Sequence, residues 1–363
     1  MMNGEHRAAL WLAMHDMIGA VRGNALKRLA GSYEGIPELP PEEIGKLDIM
    51  TEKELEAYLS VRISEDRLSF MEERMERLDI RLVIPEDEEF PEKLKSLRDC
   101  PAWLFVKGKL PENGRPAAAV VGARNCTDYG KEQAEFFGRL LGRYGIQVVS
   151  GMAMGVDTKA LQGALREGGD AFAVLGNGVN ICYPPSGREL YRRLSETGGI
   201  LSEHLPDVPP LHWHFPARNR VISGLSDMVI VIEARKRSGS LITADLALEQ
   251  GRDVFALPGR WQDPLSEGCN RLIRVGAGII TAPSDILDYF HLRSDKAPRS
   301  KISGPKLAKN EKMVYSAIDS HPAHSEYIRE RSGLSHAECM EALISLEMRG
   351  LIRQSDNQYY VRK

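Results

Sequence analysis

The chain has 363 residues, too many for one ordinary hydrophobic core, so two or three domains are expected. It is 42% hydrophobic and 27% charged, as in soluble globular proteins, and no segment has the apolar length that spans a bilayer. The net charge of −3 hides a segregation. Residues 34–99 carry 20 acidic and 10 basic side chains, residues 291–363 carry 9 and 13, and residues 115–290 carry 19 of each. Bulk charge therefore excludes a general polyanion binder, and any contact with nucleic acid must come from local patches.

The first residues, Met-Met-Asn-Gly-Glu-His-Arg, lack a signal-peptide layout and predict a cytoplasmic protein. Residues 1–100 read as mostly helical. Ala8–Met17 is a short helical candidate, and Thr51–Leu78 carries dense Glu/Arg pairs at helical spacing. Ile18–Asn24 predicts a break between two helices, the shape of a helix–hairpin–helix. It lacks a compact Gly-x-Gly and its surroundings are acidic, which favours a structural cap over DNA binding. The five cysteines (Cys100, Cys126, Cys182, Cys269 and Cys339) are scattered and read as reduced thiols, forming neither a disulfide framework nor a zinc site.

From residue 115 the rhythm changes. Short apolar runs recur at Ala117–Val121, Ile146–Val149, Ala171–Leu175, Met228–Ile232, Val254–Ala256 and Gly278–Ile280, most of them separated by helical patterns. Such alternation predicts βαβ units and a buried parallel sheet, whose ligands sit at the carboxyl ends of the strands. The segments after those ends are Gly122-Ala123-Arg124-Asn125, then Ser150-Gly151, then Gly176-Asn177-Gly178, then the basic run Arg235-Lys236-Arg237 leading into Ser238-Gly239-Ser240. The last tripeptide precedes a helical run, Leu241–Gln250, that includes Thr243. A helix N-terminus offers unpaired N–H groups and partial positive charge, and small residues let a phosphate approach them. An anion nest is expected there; an ordinary helix cap is the plainer alternative. Phe215, Arg218, Asn219 and Arg220 lie just before the Met228–Ile232 strand. His204, His212 and His214 surround a proline-rich run, but no carboxylate or cysteine completes a ligand set at a familiar spacing, so no metal is expected.

Residues 291–309 are rich in Pro, Ser and Lys and read as a linker. Residues 310–363 resemble a winged helix. Its helices are expected at Glu311–Ser320, Glu326–Ser332 and His336–Arg349, with Ser335 as N-cap of the last and a two-stranded wing after Gly350. The candidate recognition helix carries Glu338, Glu341 and Glu347 against Arg349 alone, which favours protein contact or packing over insertion into a DNA groove.

These motifs occur in order: Val121–Arg124 with Tyr129-Gly130, Ser150–Ala153 with Gly155–Asp157, Val174–Gly178, Tyr183-Pro184, Leu201–Glu203, Phe215-Pro216 with Arg218–Arg220, Ser238–Ser240 with Thr243-Ala244, Ala256–Gly259, and Gly268 with Asn270, Leu272 and Ile273. Together they resemble the DprA/Smf (DNA-processing protein A) family over nearly the whole chain. The resemblance implies an α/β fold: a helical N-terminal cap over 1–100 (SAM- or helix–hairpin–helix-like), an extended Rossmann-like parallel-sheet domain over 101–290, the linker, and a C-terminal winged helix over 310–363. It implies a protein without catalytic turnover or cofactor. Such a protein binds single-stranded DNA, protects incoming strands in natural transformation, helps load the recombinase RecA, and dimerises through the Rossmann domain. The expected phosphate-binding set is Gly122, Arg124, Asn125, Ser150, Gly151, Gly176, Arg218, Asn219, Arg220, Lys236, Ser238, Gly239, Ser240, Thr243 and Asn270, with Phe215 as a platform for a base. Leu161 stands where the family usually has histidine, and Met154 where it often has a polar or basic residue.

Two other readings compete. One is an enzyme related to nucleoside-monophosphate phosphoribohydrolases, with Asp157, Glu203 or Glu233 near the sugar, although the chain lacks the Pro-Gly-Gly-x-Gly-Thr loop of those enzymes. The other is an assembly adaptor that does not bind DNA. A nicotinamide dehydrogenase is disfavoured, because Gly122-Ala123-Arg124 does not spell Gly-x-Gly-x-x-Gly.

Overall fold

The structure is a computed structural model that describes residues 2–292, 307–318, 322–356 and 358–362. The chain divides into two compact units, Met1–Ala297 and Pro298–Lys363. Most of the expected linker, residues 293–306, lies outside the described residues.

In the first unit the chain begins with helices Gly4–Ala13 and Ala20–Ala30, the latter ended by Gly31 in the left-handed region at φ 80°. The expected break at Ile18–Asn24 falls earlier, because Arg22, Gly23 and Asn24 are already helical. Their side chains hold the cap to its own chain. Arg22 donates to the carbonyl oxygens of Ile49 and Met17 and to Glu54, and Asn24 Nδ2 donates to the Cys100 oxygen at 2.6 Å. A Cβ on Gly23 would stand 3.0 Å from Ala102, so this glycine serves close packing rather than a DNA backbone. The expected helical stretch Thr51–Leu78 is two helices, Glu52–Ser60 and Glu65–Arg77. Val61 is extended, and Ser64 starts the second helix by accepting from Arg67 N.

The sheet has nine strands: β1 Arg81–Val83, β2 Leu104–Gly108, β3 Ala117–Val121, β4 Gln147–Ser150, β5 Ala171–Val174, β6 Gly199–Ser202, β7 Met228–Val231, β8 Asp253–Ala256 and β9 Gly278–Ile279. Their spatial order is β1-β2-β6-β5-β4-β3-β7-β8-β9, parallel from β6 to β9, with β1 and β2 antiparallel at one edge. The apolar runs missed β1, β2 and β6. β6 offers only Ile200 and Leu201 between Gly199 and Ser202, and β1 lies inside the stretch read as helical. Successive residues of β3 alternate between two cores. Ala118 and Val120 join the core containing Leu10, Leu26, Tyr58 and Met75 of the N-terminal helices, whereas Ala119 and Val121 join the core with Phe172, Val221 and Ala244. The N-terminal helices therefore share a core with one face of the sheet.

The connectivity determines where a ligand can enter. From β3 the chain steps outward through β4, β5 and β6, then returns across the sheet to place β7 on the other side of β3. β3 and β7 thus flank a topological switch point, where the connections diverge and leave a crevice at the strand ends.

The second unit packs helices Lys309–Ala317, Ser325–Ser332 and His336–Met348 with β10 Ala323–His324, β11 Ile352–Asp356 and β12 Tyr359–Arg362 in the order β10-β12-β11, a winged helix. Ser335 and Glu338 form a capping box. The first helix starts at Lys309, two residues before the expected Glu311. That side chain is buried and accepts from Ser345 Oγ at 2.6 Å and Arg349 Nη1 at 2.7 Å, tying the first helix to the third. Glu338 and Glu341 remain on the exposed surface of the third helix beside Ile344 and Met348, which are 53% and 84% exposed.

Candidate functional site

The loop after β3 is held from below. Ala123 N donates to the Glu233 oxygen at 2.8 Å, and the Glu233 carboxylate accepts from Thr127 N at 2.8 Å and Thr127 Oγ1 at 2.5 Å. Gly155, at φ 80°, lies directly against this loop, where a Cβ would come within 2.4 Å of the Ala123 and Arg124 oxygens. The two loops can therefore stack, and Arg124 is displayed at the surface above them. Its guanidinium lies 5.3 Å from the centroid of the Phe215 ring. Tyr183 stacks on the same phenylalanine at 5.6 Å with an interplanar angle of 27°.

Arg124 and Phe215 form one wall of a cavity of about 360 Å³ at the β3/β7 crevice. Gly122, Asp157, Arg218, Asn219, Ser238, Gly239, Ser240 and Thr243 line it as well. The Ser238–Ser240 loop is the N-terminus of helix Gly239–Glu249, with Ser238 as N-cap; its Oγ meets Ser240 Oγ at 2.8 Å and accepts from Ser240 N at 3.4 Å. Gly239 is not in the left-handed region, and a Cβ there would meet nothing within 4 Å. The backbone does not require glycine; what the glycine leaves is open space in front of a helix N-terminus. Asn219 Nδ2 donates to the Gly239 oxygen at 3.3 Å, so it fixes the loop.

Arg218 has a more unusual environment. It rises from helix His214–Gly224 and is only 6% exposed. Nη1 donates to the carbonyl oxygens of Gly151 at 3.0 Å and of Val174, but Nε is buried without a hydrogen-bond partner. Burial, with some help from the Arg124 charge, holds its pKa down to about 10 against the pull of Asp157. Burial pushes the Asp157 carboxyl up to about 6, opposed by Arg218 and by the N–H groups of Ala153 and Gly151. Arg218 thus lines the cavity as a buried cation beside Asp157, with its Nε enclosed by the fold.

Other expected site residues do different work. Arg220 is two positions from Arg218 on the same helix, and such residues face opposite ways. It pairs with Glu203 at 2.6 Å and Asp99 at 3.2 Å, so the expected Arg218–Arg220 clamp is divided and Arg220 is not among the cavity's lining residues. Ser150 is buried, its hydroxyl donating to the Val120 oxygen at 2.7 Å. Asn270 is engaged with both backbone groups of Gly259. Asn125 is exposed and lies outside the cavity lining. Lys236 sits 3.6 Å from Glu267 in a neighbouring groove with Arg237 and Arg271. Gly151 and Gly176 line a smaller recess beside the cavity, with Met154, Leu175 and Tyr183; Leu161 is fully buried in the core. Tyr183 and His212 were not foreseen at the site. Tyr183 stands in the Tyr183-Pro184 motif, but its place against Phe215 comes from the fold.

The enzyme reading loses two of its three carboxylates, since Glu233 holds the β3 loop and Glu203 holds Arg220. His204 and His214 stack on each other with ring centroids 3.9 Å apart, and burial followed by the neighbouring His214 and Arg218 lowers His204 to about 4. Among the described residues no group of three His, Cys, Asp or Glu side chains is arranged to hold a metal ion, and no helix is long and apolar enough to cross a membrane.

Comparison with known proteins agrees with this architecture. A family profile described as DNA recombination-mediator protein A matches residues 81–291, and one described as the DprA winged helix domain matches residues 297–358. Protein Smf of Escherichia coli (strain K12) is 40% identical over 279 residues, 74% of this chain and 74% of that protein. The X-ray structure of DNA processing protein A from Streptococcus pneumoniae matches with a TM-score of 0.69 at 34% identity, covering 79% of this chain and 98% of that one. DNA processing protein A from Helicobacter pylori, whose structure is described for its single-stranded DNA binding mode, matches with a TM-score of 0.53 at 29% identity over 58% of this chain and 95% of that one. With one profile on the Rossmann sheet and the other on the winged helix, and a relative of this identity spanning most of the chain, the protein belongs to the DprA/Smf family.

Proposed function

We propose that the β3/β7 cavity clamps phosphates of single-stranded DNA. In this reading the protein protects incoming strands and loads the recombinase RecA in natural transformation and recombination. It works in the cytoplasm as a homodimer joined through the Rossmann unit, without a cofactor or catalytic turnover. The observation that carries the phosphate reading is the positive lining of the cavity, where Arg124, Arg218 and the N-terminus of helix Gly239–Glu249 border the same space. The Helicobacter pylori relative, described as a single-stranded DNA binder, supports the choice of polymer. Phe215 and Tyr183 add sequence-tolerant aromatic surface beside the anion site. For self-association, Ile242 and Val275 flank the groove beside the cavity and are exposed. The exposed acidic and apolar side chains of the third winged-helix helix support a protein contact there rather than a DNA groove.

The test is a titration of single- and double-stranded DNA of equal length across a salt series, with the solution mass measured alongside. Single strands should bind more tightly, with affinity falling steeply as salt rises. Equal binding of duplex, or affinity indifferent to salt, would refute the clamp.

A further inference from the structure

We propose that the strand leaves the cavity across the carboxyl ends of β7 and β8, and that Trp261 is a second base platform on this path, outside the cavity; this rests on the single-strand reading. Trp261 is 82% exposed, and neither it nor Arg260 is among the cavity's lining residues. A single exposed apolar side chain is ordinary. Here its presentation, its place and the charge around it assign it a ligand.

The loop that carries Trp261 is held at both ends. Leu257 N donates to the Val231 oxygen at 3.0 Å, and the Asn270 side chain engages both backbone groups of Gly259, at 3.1 and 3.0 Å. Asp263 N donates to the Arg260 oxygen at 3.0 Å, closing a tight turn with Trp261 at its tip. A platform fixed in advance loses little freedom when a base stacks on it. Its place follows from the sheet. β8 is parallel to β7, and β7 to β3, so the loop after β8 lies on the same edge as the cavity. Ala234 N donates to the Leu265 oxygen at 2.7 Å, which joins this loop to the segment after β7. Ala234 is four residues before Ser238 on the cavity wall, at most ~14 Å of extended chain. A strand of a few nucleotides crosses that distance. The charge lies in between. Arg235, Lys236 and Arg237 fill the gap and are exposed, as is Arg260 beside the indole. Among the described residues Arg235, Arg237 and Arg260 make no ion pair, while the Asp263 carboxylate is occupied by Leu265 N and Ser266 Oγ. Free cations leading to a bare indole face suit a sugar-phosphate chain with unstacked bases of any sequence. A duplex keeps its base faces against one another, so this platform favours single strands.

The experiment uses the full chain and oligothymidylates from two to about twenty nucleotides, bracketing the roughly 4–16 that single-strand surfaces commonly cover. Affinities come from anisotropy, the shortest strands being read as competitors, with melting curves and solution mass for each variant. Trp261→Ala should bind the longer strands roughly 5- to 150-fold more weakly, the ~1–3 kcal/mol of one stacked base, and the dinucleotide like the parent. Trp261→Phe should recover most of the loss. In Trp213→Phe, Trp261 is the one indole more than half exposed, and long strands should quench its emission far more than the dinucleotide does. Equal affinity of Trp261→Ala and the parent for every length would overturn the proposal. So would an equal loss at every length, which would trace the effect to the cavity. A changed solution mass with unchanged affinity would give the indole to a protein contact and overturn it as well; these three results leave the single-strand reading standing. A parent that binds no oligonucleotide of any length would overturn both.

Discussion

Replacing Arg124 by alanine isolates the phosphate contact from the fold. The side chain is exposed at the end of the β3 loop, where it lies 5.3 Å from the face of Phe215, with Asp157 attracting its charge and Arg218 repelling it. Losing an exposed cation–π contact costs about 0.5–1 kcal/mol of stability at most. Losing a charge-assisted hydrogen bond to phosphate costs about 1–3 kcal/mol of binding, which is roughly 5- to 150-fold in Kd. Binding should therefore fall far more than stability. The salt series gives an independent reading, because each phosphate contact removed should lower the slope of log K against log salt by about 0.7 on single strands. Arg124→Lys sharpens the result. Lysine keeps the charge and hence the slope, but it cannot make the planar two-point contact of a guanidinium, so affinity should drop with the slope unchanged. Anisotropy at four or more salt concentrations, with melting curves for each variant, measures all of this. If Arg124→Ala binds with the parent's affinity and slope, Arg124 is not at the site and the cavity is not the phosphate clamp.

Other perturbations separate the remaining roles. Gly239→Val should melt close to the parent, since a Cβ there meets nothing, yet bind single strands at least about tenfold more weakly because the side chain would occupy the space before the helix N-terminus; unchanged affinity would remove that helix end from the site. Ser238→Ala, which deletes the cap accepting from Ser240 N, should instead cost about 0.5–2 kcal/mol of stability by chemical denaturation. Asp157 is held above its ordinary pKa, to about 6, chiefly by burial, so the folded state binds its proton more tightly than the unfolded chain does. Its stabilising contribution is present below the unfolded carboxylate pKa of about 4 and is lost as pH rises through about 6. Asp157→Asn should therefore gain stability relative to the parent as pH rises from 4 to 7 in parallel melts, and a difference that stays flat or changes the other way would contradict the burial. Deleting residues 300–363 should leave a folded protein that binds single strands, because the cavity is built wholly from residues before 245; a monodisperse, cooperatively melting truncation without affinity would place the winged helix in the primary site.

The parts of this site that were legible in the sequence are those whose signal is local. A run such as Met228–Ile232 announces a buried strand by its apolar continuity, and Ser238-Gly239-Ser240 announces a helix start because capping chemistry sits next to the helix it caps. Legibility ended where neighbours in sequence diverge in space. Arg218 and Arg220 look like a pair on the page, but helical geometry turns one to the cavity and the other to Glu203 and Asp99. The same limit hid Tyr183, which reaches Phe215 only because the segments after β5 and before β7 converge. The Thr51–Leu78 stretch failed for another reason: Glu/Arg pairing is equally compatible with one long helix or two, and only the capping ability of Ser64 marks the break.

What fixes the place of the site is the order of the strands rather than any one motif. Residues 122–124 and 238–243 are separated by more than a hundred positions, yet they face each other because the chain leaves β3 in one direction and returns on its other side at β7. A parallel sheet whose strands followed one another in simple sequence order would lay a connection across every crevice between neighbours. Here the reversal leaves the β3/β7 crevice uncovered, and the first turns of three helices line it: Val156–Arg166 through Asp157, His214–Gly224 through Phe215 and Pro216, and Gly239–Glu249 through Gly239 and Ser240. Arg218 then arrives from the helix preceding β7, and the carbonyl oxygens of Gly151 and Val174, at the ends of β4 and β5, hold one of its nitrogens. Two strand ends thus brace one guanidinium, whose Nε is buried without a partner. Asp157 offsets part of the cost of burying that charge, and the pair stands on the wall of the crevice that the strand order leaves open.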